Sequence, residues 1–465
     1  MILLRSRRAR TGLAGVAALV AAVTFASCSS TTDNGNGTSS APVDLGKPMD
    51  AAAASKLAIE KAGPIQFATG STTRGVNGKV ITIGGIADVK DTTGIENFPG
   101  VCDGAKARFE RANREGGVNG YTFSYAGCTD SGADPTKSKD AVTEMVEDKK
   151  VFGLVPFTAT VSSVGDYLND KHVPYFGWGI SNDYCGWNNR QFGFSVTQAV
   201  SCPNVLPGQT FYSSAGLESY LTGSGKKAAD VKAAFLGSSV AAGESSVRSF
   251  AKMAVGLGMK APYAKTPIPG PGAPPLSDYT PIARDIIASG ANLVASTTPP
   301  AQIFPLVAAL RSSGYTGDVL IYFADPRLAP LADQLDKVYA MTPNFGSSVF
   351  PSPTFLQIGT DLKAIGSQAD SGASGTLTSY GAADLFLKAF AKISGPVTTE
   401  ALAKVLNSGF DYPALGNAMC GSTWPAGRAL GNDCAAIVQF DGAKKAIVPI
   451  KDLQTFGHEY LFSAA

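Results

Sequence analysis

From about Lys79 onward the sequence alternates short apolar runs with amphipathic stretches, and few folds accept that rhythm. Residues 80–86 read as a buried strand, and after a polar loop Val101, Ala105, Phe109 and Ala112 recur at spacings of four, four and three, one face of a helix. Gly116-Gly117 ends that helix, residues 121–125 make a second strand, and residues 135–149 give a helix with Ala141, Val142, Met145 and Val146 inward. A third strand follows at 151–155 and another at 173–177. Beyond a helix expected over 208–221, strands at 231–236, 292–296 and 318–323 alternate with helices at 242–257 and 301–311. Strands separated by helices of this length form βαβ units, and therefore parallel sheets. The class is α/β, doubly wound.

Two places interrupt the rhythm. A strand-like segment at 191–196 runs into a loop with Cys202 and Pro203, and residues 338–351 form an extended, proline-bounded stretch. Crossing near both, and again near 424–437, would give two doubly wound lobes joined by a three-crossover hinge. One lobe would hold residues 79–198 with about 345–430, the other residues 199–344 with about 431–465. A cleft between them meets the carboxyl ends of both sheets, where backbone N–H groups and helix N-termini point outward and ligands of open α/β sheets bind.

The first residues serve a different purpose. Arg5, Arg7, Arg8 and Arg10 precede small and apolar residues at 11–25, the charged and apolar regions of an export signal. That run is too short to span a membrane. It ends at Phe25-Ala26-Ser27-Cys28, which looks like a bacterial lipobox, with Phe25 where the pattern prefers Leu, so residues 1–28 are expected to be a lipoprotein signal and Cys28 the lipidated residue. An ordinary signal peptide that happens to contain a cysteine is the alternative. Residues 29–75, opening on a stretch rich in Ser, Thr, Gly and Asn, are expected to be a flexible tether from a membrane anchor to an extracytoplasmic body.

Cysteine counting agrees with export. Removing Cys28 from the 7 cysteines leaves Cys102, Cys128, Cys185, Cys202, Cys420 and Cys434, an even set suited to disulfides. Sequence neighbours are the natural pairs, among fifteen possible connectivities. There is no C-x-x-C, and the only 2 histidines, His172 and His458, are far apart, so a metal site is not expected. With 39 Lys+Arg against 37 Asp+Glu, the net charge of +2 leaves no strong field for nucleic acid.

Beyond these patterns, the chain from Lys79 onward resembles the solute-binding proteins of ABC importers for branched-chain and other hydrophobic amino acids, the Leu/Ile/Val-binding group of the type I periplasmic-binding fold. The resemblance rests on Gly84-Gly85-Ile86 ending the first strand, Gly104-Ala105-Lys106 in the first helix, and the turn Gly116-Gly117-Val118-Asn119-Gly120. Asp134-Pro135-Thr136-Lys137 at a helix start and Val151-Phe152-Gly153-Leu154-Val155 complete it, in order and spacing.

The resemblance implies a ligand carboxylate held by Thr158 and backbone amides in one loop, and by Gly179 and Ser181 in another. The alternative for Thr158 and Ser181 is that they cap the helices that follow them. The same resemblance implies that Asp325 neutralises an α-amino group, with Asp where the family has Glu; an Asx turn before Pro326 is the alternative. Two of the family's aromatic positions fall on Ala242 and on Thr297-Thr298-Pro299-Pro300, so the pocket is expected to be roomier or differently shaped. Phe98, Phe157, Trp178 and Tyr380 are candidates for its apolar walls, each equally suited to the core. An ABC permease is the implied partner, and a signalling receptor of the same fold, or a binder of an amide or small organic acid, is the alternative.

Nothing in the sequence assembles an enzyme. No G-x-S-x-G accompanies the histidines, and Gly223-Ser224-Gly225-Lys226-Lys227 lacks the first Gly and the Ser/Thr of a phosphate loop, so it reads as a polar linker. No cofactor is expected.

Overall fold

The apolar runs fold as parallel strands. The computed structural model describes residues 49–465 except 91–95, 160–161, 198–208, 271–272, 299, 323–325, 343–351, 414, 432–433, 457–459 and 465. The segment expected to be an export signal, Cys28, Cys202, Asp325 and His458 lie outside the described residues. Among the described residues no helix is long and apolar enough to cross a membrane.

In chain order the first part runs α1 (Ala51–Ala62), β1 (Val76–Asn77), β2 (Val80–Ala87), α2 (Val101–Arg114), β3 (Thr122–Asp130), α3 (Pro135–Thr143), β4 (Gly153–Thr158), α4 (Gly165–Asp170), β5 (Tyr175–Gly177) and β6 (Gly193–Ser195). Strands β3, β2, β4, β5 and β6 lie side by side and parallel, with β1 antiparallel on β2. The chain thus steps from β2 to β3 on one side and returns across β2 to β4 on the other, so the winding direction reverses between β2 and β4. Glycines make this close packing possible: a Cβ on Gly84 would meet Met145 Sδ at 2.6 Å, and one on Gly85 would meet the Tyr125 hydroxyl at 2.6 Å. The helix start expected at Asp134-Pro135 is capped by Asp134, whose carboxylate accepts from Thr136 N at 2.8 Å and Lys137 N at 3.0 Å.

The second part repeats the pattern with β7 (Gln209–Ser213), α5 (Ala215–Ser224), β8 (Lys232–Ser238), α6 (Ala241–Gly256), β9 (Lys260–Ile268), α7 (Thr280–Ala288), β10 (Leu293–Ser296), α8 (Pro300–Ser312), β11 (Asp318–Ile321) and β12 (Val338–Thr342). Then come α9 (Pro353–Ala364), α10 (Ser374–Phe390), α11 (Thr399–Asn407), the hairpin β13 (Phe410–Tyr412) and β14 (Ser422–Trp424), β15 (Cys434–Asp441), β16 (Ala446–Thr455) and β17 (Tyr460–Ala464). Strands β9, β8, β10, β11 and β12 are parallel, and β15 and β16 extend that sheet antiparallel. Its winding reverses between β8 and β10. Helices from the late sequence return to the first sheet: α10 is buried almost all round, and Phe386 and Phe390 join Phe109, Phe123 and Phe152 in one aromatic cluster. The chain therefore passes between the two sheets three times.

Three expectations are corrected. Residues 209–213 are extended, because Gln209–Ser213 pairs antiparallel with Tyr460–Ala464 at the end of the chain, and the helix begins only at Ala215. Gly223 and Ser224 close that helix, and Gly225 caps it at φ +70°, a conformation glycine adopts without strain. Within residues 29–75, expected to be a tether, Ala51–Ala62 is helical. Helix α1 buries Ala54 and Ala58 against Trp187, Ala426, Ala429 and Leu430, and belongs to the same compact unit, Val43–Ala465, as both sheets. The arm behind it is held by Trp187 Nε1 donating to Gly63 O at 3.1 Å, and by Gln66 N and Ala68 N donating to Asn188 and Gln191 side chains at 2.8 and 2.9 Å.

Disulfides join Cys102 to Cys128 and Cys420 to Cys434, and Cys185 is also disulfide-bonded. The second bond spans the last passage, between the hairpin and β15. Beside it Arg428 is 3% exposed, and among the described residues no carboxylate pairs with it. Its Nε donates to Asn407 Oδ1 at 3.1 Å, Nη2 to Asn407 Oδ1 at 2.7 Å and Gln191 O at 2.6 Å, and Nη1 to Gly193 O at 3.0 Å and to Arg190 O. The guanidinium lies over the rings of Phe194 and Trp424. It binds the segment entering the first passage to the segment entering the last.

Candidate functional site

Ligands of open α/β sheets sit where the winding direction reverses, outside the carboxyl ends of the strands. In the first sheet that place lies between the loops after β2 and β4. Asp88, immediately after β2, is fully buried and ties the strand ends together. Its N–H donates to Thr158 O at 2.9 Å, and its carboxylate accepts from Ser131 Oγ at 2.5 Å and Ala133 N at 3.0 Å. The far end of the loop is fixed by α10, whose Thr376 N donates to Pro99 O at 3.0 Å. A Cβ on Gly100, at φ +70°, would meet Thr376 Oγ1 at 2.0 Å, so only glycine fits that contact. Phe98 is thereby held half-buried and edge-on to the half-buried Trp178, with centroids 5.4 Å apart.

Thr158 ends β4 and is 1% exposed. Its Oγ1 accepts from Trp178 N at 3.5 Å, which leaves the hydroxyl proton to be donated. Ser181 Oγ donates to Asp183 Oδ2 at 3.3 Å, and Asp183 also accepts from Gly165 N at 2.7 Å and from Ser162 Oγ. Asp183 is 2% exposed and faces donors, so it organises the loops around Ser181. Three amides of the second loop are engaged internally: Trp178 N with Thr158, Gly179 N with Ser195 Oγ at 3.0 Å, and Ile180 N with Trp178 O. The structure thus brings Thr158, Trp178 and Phe98 together, with Gly179 and Ser181 in the adjoining loop.

Other candidates lie elsewhere. Phe157 is fully buried against Tyr175 and Tyr184, so its ring is core and offers no wall. Burial pushes both phenols up in pKa, leaving them as neutral donors to Asp183 O and Phe157 O. Tyr380 is 1% exposed among α2, α9 and α10, where its hydroxyl donates to Asp361 Oδ2 at 2.7 Å and accepts from Arg111 at 3.2 Å. The sequence left both rings equally suited to a pocket wall and to the core; packing against distant elements buries them.

At the matching place in the second sheet, β10 ends in Ser296, whose hydroxyl meets that of Thr298 at 2.8 Å. Helix α8 follows, with Gln302 in its first turn, and Ala242 lies in the first turn of α6. Sequence reasoning missed Asp88, Asp183 and Gln302. An Asp directly after an apolar run was the available signal for the first; the others are visible only through partners distant in sequence or lacking.

A family model described as periplasmic binding protein matches residues 80–445. No curated protein sequence matches the chain. Among solved structures the chain is similar to an ABC transporter substrate-binding protein of Aeropyrum pernix, at 19% identity and a TM-score of 0.62 over 83% of this chain and 96% of that one. It is also similar to an R. palustris ABC-transporter solute-binding protein in complex with 4-hydroxybenzoate, at 16% identity and a TM-score of 0.60 over 82% of this chain and 98% of that one. A Thermus thermophilus branched-chain amino-acid ABC transporter structure with bound valine gives 16% identity and a TM-score of 0.60, over 82% and 98% of the two chains.

Proposed function

Because the chain belongs to the periplasmic binding protein family, we propose that it is the extracytoplasmic solute-binding component of an ABC importer, capturing one small carboxylate between its two sheets. The observation that carries this reading is the Thr158 hydroxyl at the winding reversal of the first sheet, flanked by the half-buried Phe98 and Trp178 rings. A hydroxyl donor among neutral groups suits a carboxylate leaving water without a full counter-ion. Valine and 4-hydroxybenzoate, held by similar structures, share that group. The two sheets would close on the ligand as a hinge motion, and the permease would receive the closed form. In this reading Ser181 and Gly179 support the loop, Asp325 meets an amine where the ligand has one, Cys28 carries the lipid anchor, and the protein performs no chemistry on its ligand.

Calorimetry of the purified protein across the amino acids, small amides and aromatic acids tests it. One ligand should bind in the micromolar range or tighter, about −8 kcal/mol. Silence across that panel would reject the small-carboxylate class.

A further inference from the structure

Each sheet carries, at its winding reversal, an amide side chain with a polar atom that no group meets. Asn97 stands beside Phe98 in the loop after β2, and its Oδ1 is shielded from solvent without a hydrogen bond. Gln302, in the first turn of α8, is 4% exposed, and its Oε1 is likewise shielded and unpartnered. Leaving such a group unmet forfeits its bonds to water with nothing gained in return. An apolar side chain of similar size would fill either place without that cost, so core packing alone gives no reason for an amide at either one.

The surroundings in the second sheet are polar as well. Ser296 and Thr298 are each 1% exposed at the end of β10. Tyr322, directly after β11, lies tilted against Phe250 of α6 with centroids 4.7 Å apart, and its hydroxyl is shielded without a partner. Burial drives that phenol well above its usual pKa, so it stays neutral and able both to donate and to accept. An aliphatic ligand end would leave these groups unmet, and a site built to hydrogen-bond its ligand rejects analogues that lack the matching group.

Resting on the solute-binding reading, we propose that the ligand's end remote from the carboxylate carries a hydrogen-bonding group, a hydroxyl or primary amide, taken up by Asn97 and Gln302. The test uses near-isosteric pairs on the full chain by calorimetry: threonine with valine, asparagine with leucine, and 4-hydroxybenzoate with benzoate. In at least one pair the polar member should bind about tenfold or more tightly than its partner. Gln302→Leu or Asn97→Leu should erase that preference by weakening the polar member, leaving the apolar one within about twofold. Gln302→Met, closer in length, replaces Gln302→Leu if the latter does not fold. Apolar members that bind equally or more tightly overturn this proposal while leaving the solute-binding reading intact, and so does a preference unchanged in both variants. Failure of every pair to bind overturns it too, and the broader panel then decides the solute-binding reading separately.

Discussion

At the end of β4 one hydroxyl separates a structural role from a binding one. Trp178 N–H reaches Thr158 Oγ1 only at 3.5 Å, so that contact contributes little to folding. Thr158→Val, which keeps the shape and removes the donor, should weaken ligand binding by roughly 1–3 kcal/mol with little change in unfolding midpoint, and Thr158→Ser should restore it. Equal affinity in the Val variant, read by calorimetry, would remove Thr158 from the site. Arg428 poses the opposite case, a buried charge whose N–H groups are all met by neutral acceptors. Lysine keeps the charge but supplies three donors on a flexible stem. Arg428→Lys should therefore cost roughly 1–3 kcal/mol in urea unfolding, through the carbonyls and Asn407 left unmet.

Among the elements, the N-terminal arm departs most from what composition suggests. Helix α1 is alanine-rich and follows a polar stretch, and its Ala54 and Ala58 face a surface built by Trp187 and residues 426–430, far away in sequence. The arm's last anchor is Glu400, which accepts from Thr72 N at 2.8 Å, Thr72 Oγ1 at 2.7 Å and His172 Nδ1 at 2.7 Å. Burial alone would raise this carboxyl, but the hydrogen bonds from Thr72 and His172 outweigh it and hold it down at about 2, below its ordinary 4.5. A depressed carboxyl stabilises above its unfolded value, and that contribution is lost as pH falls from 4.5 through about 2. Acidification across this window should release the arm, seen as a change in Trp187 fluorescence and faster amide exchange over residues 63–75. Glu400→Gln should lack that pH step and be about 1–3 kcal/mol less stable at neutral pH; an identical step in the variant would show that another group controls the arm. The strands and helices of the two sheets were legible because each has its own period, as at residues 80–86 and at Val101, Ala105, Phe109 and Ala112. Strand β7 was not, since its partner lies at the other end of the chain.

On the scale of the whole molecule, the three passages between sheets are the places where the two sheets are tied together. The Cys420–Cys434 bond closes a separation of 14 residues across the last passage. Replacing both with Ser should lower stability by about 3 kcal/mol, measured as a shift in the urea midpoint. A variant as stable as the parent would show that Arg428 and the hairpin hold this passage without the bond. The sequence by itself determined the α/β class, the doubly wound winding and the loops at the carboxyl ends of the strands, because periodicity and turn chemistry act over a few residues. Only the tertiary structure decided how deeply each ring is buried, sending Phe157 and Tyr380 inward while leaving Phe98 and Trp178 half-buried. It alone decided that three of the second loop's amides are already engaged, that Asn97 and Gln302 are left unmet, and that α1 docks. Those outcomes depend on partners brought together from remote parts of the chain, and a hydrogen bond or a buried face is a property of both partners, not of either sequence position.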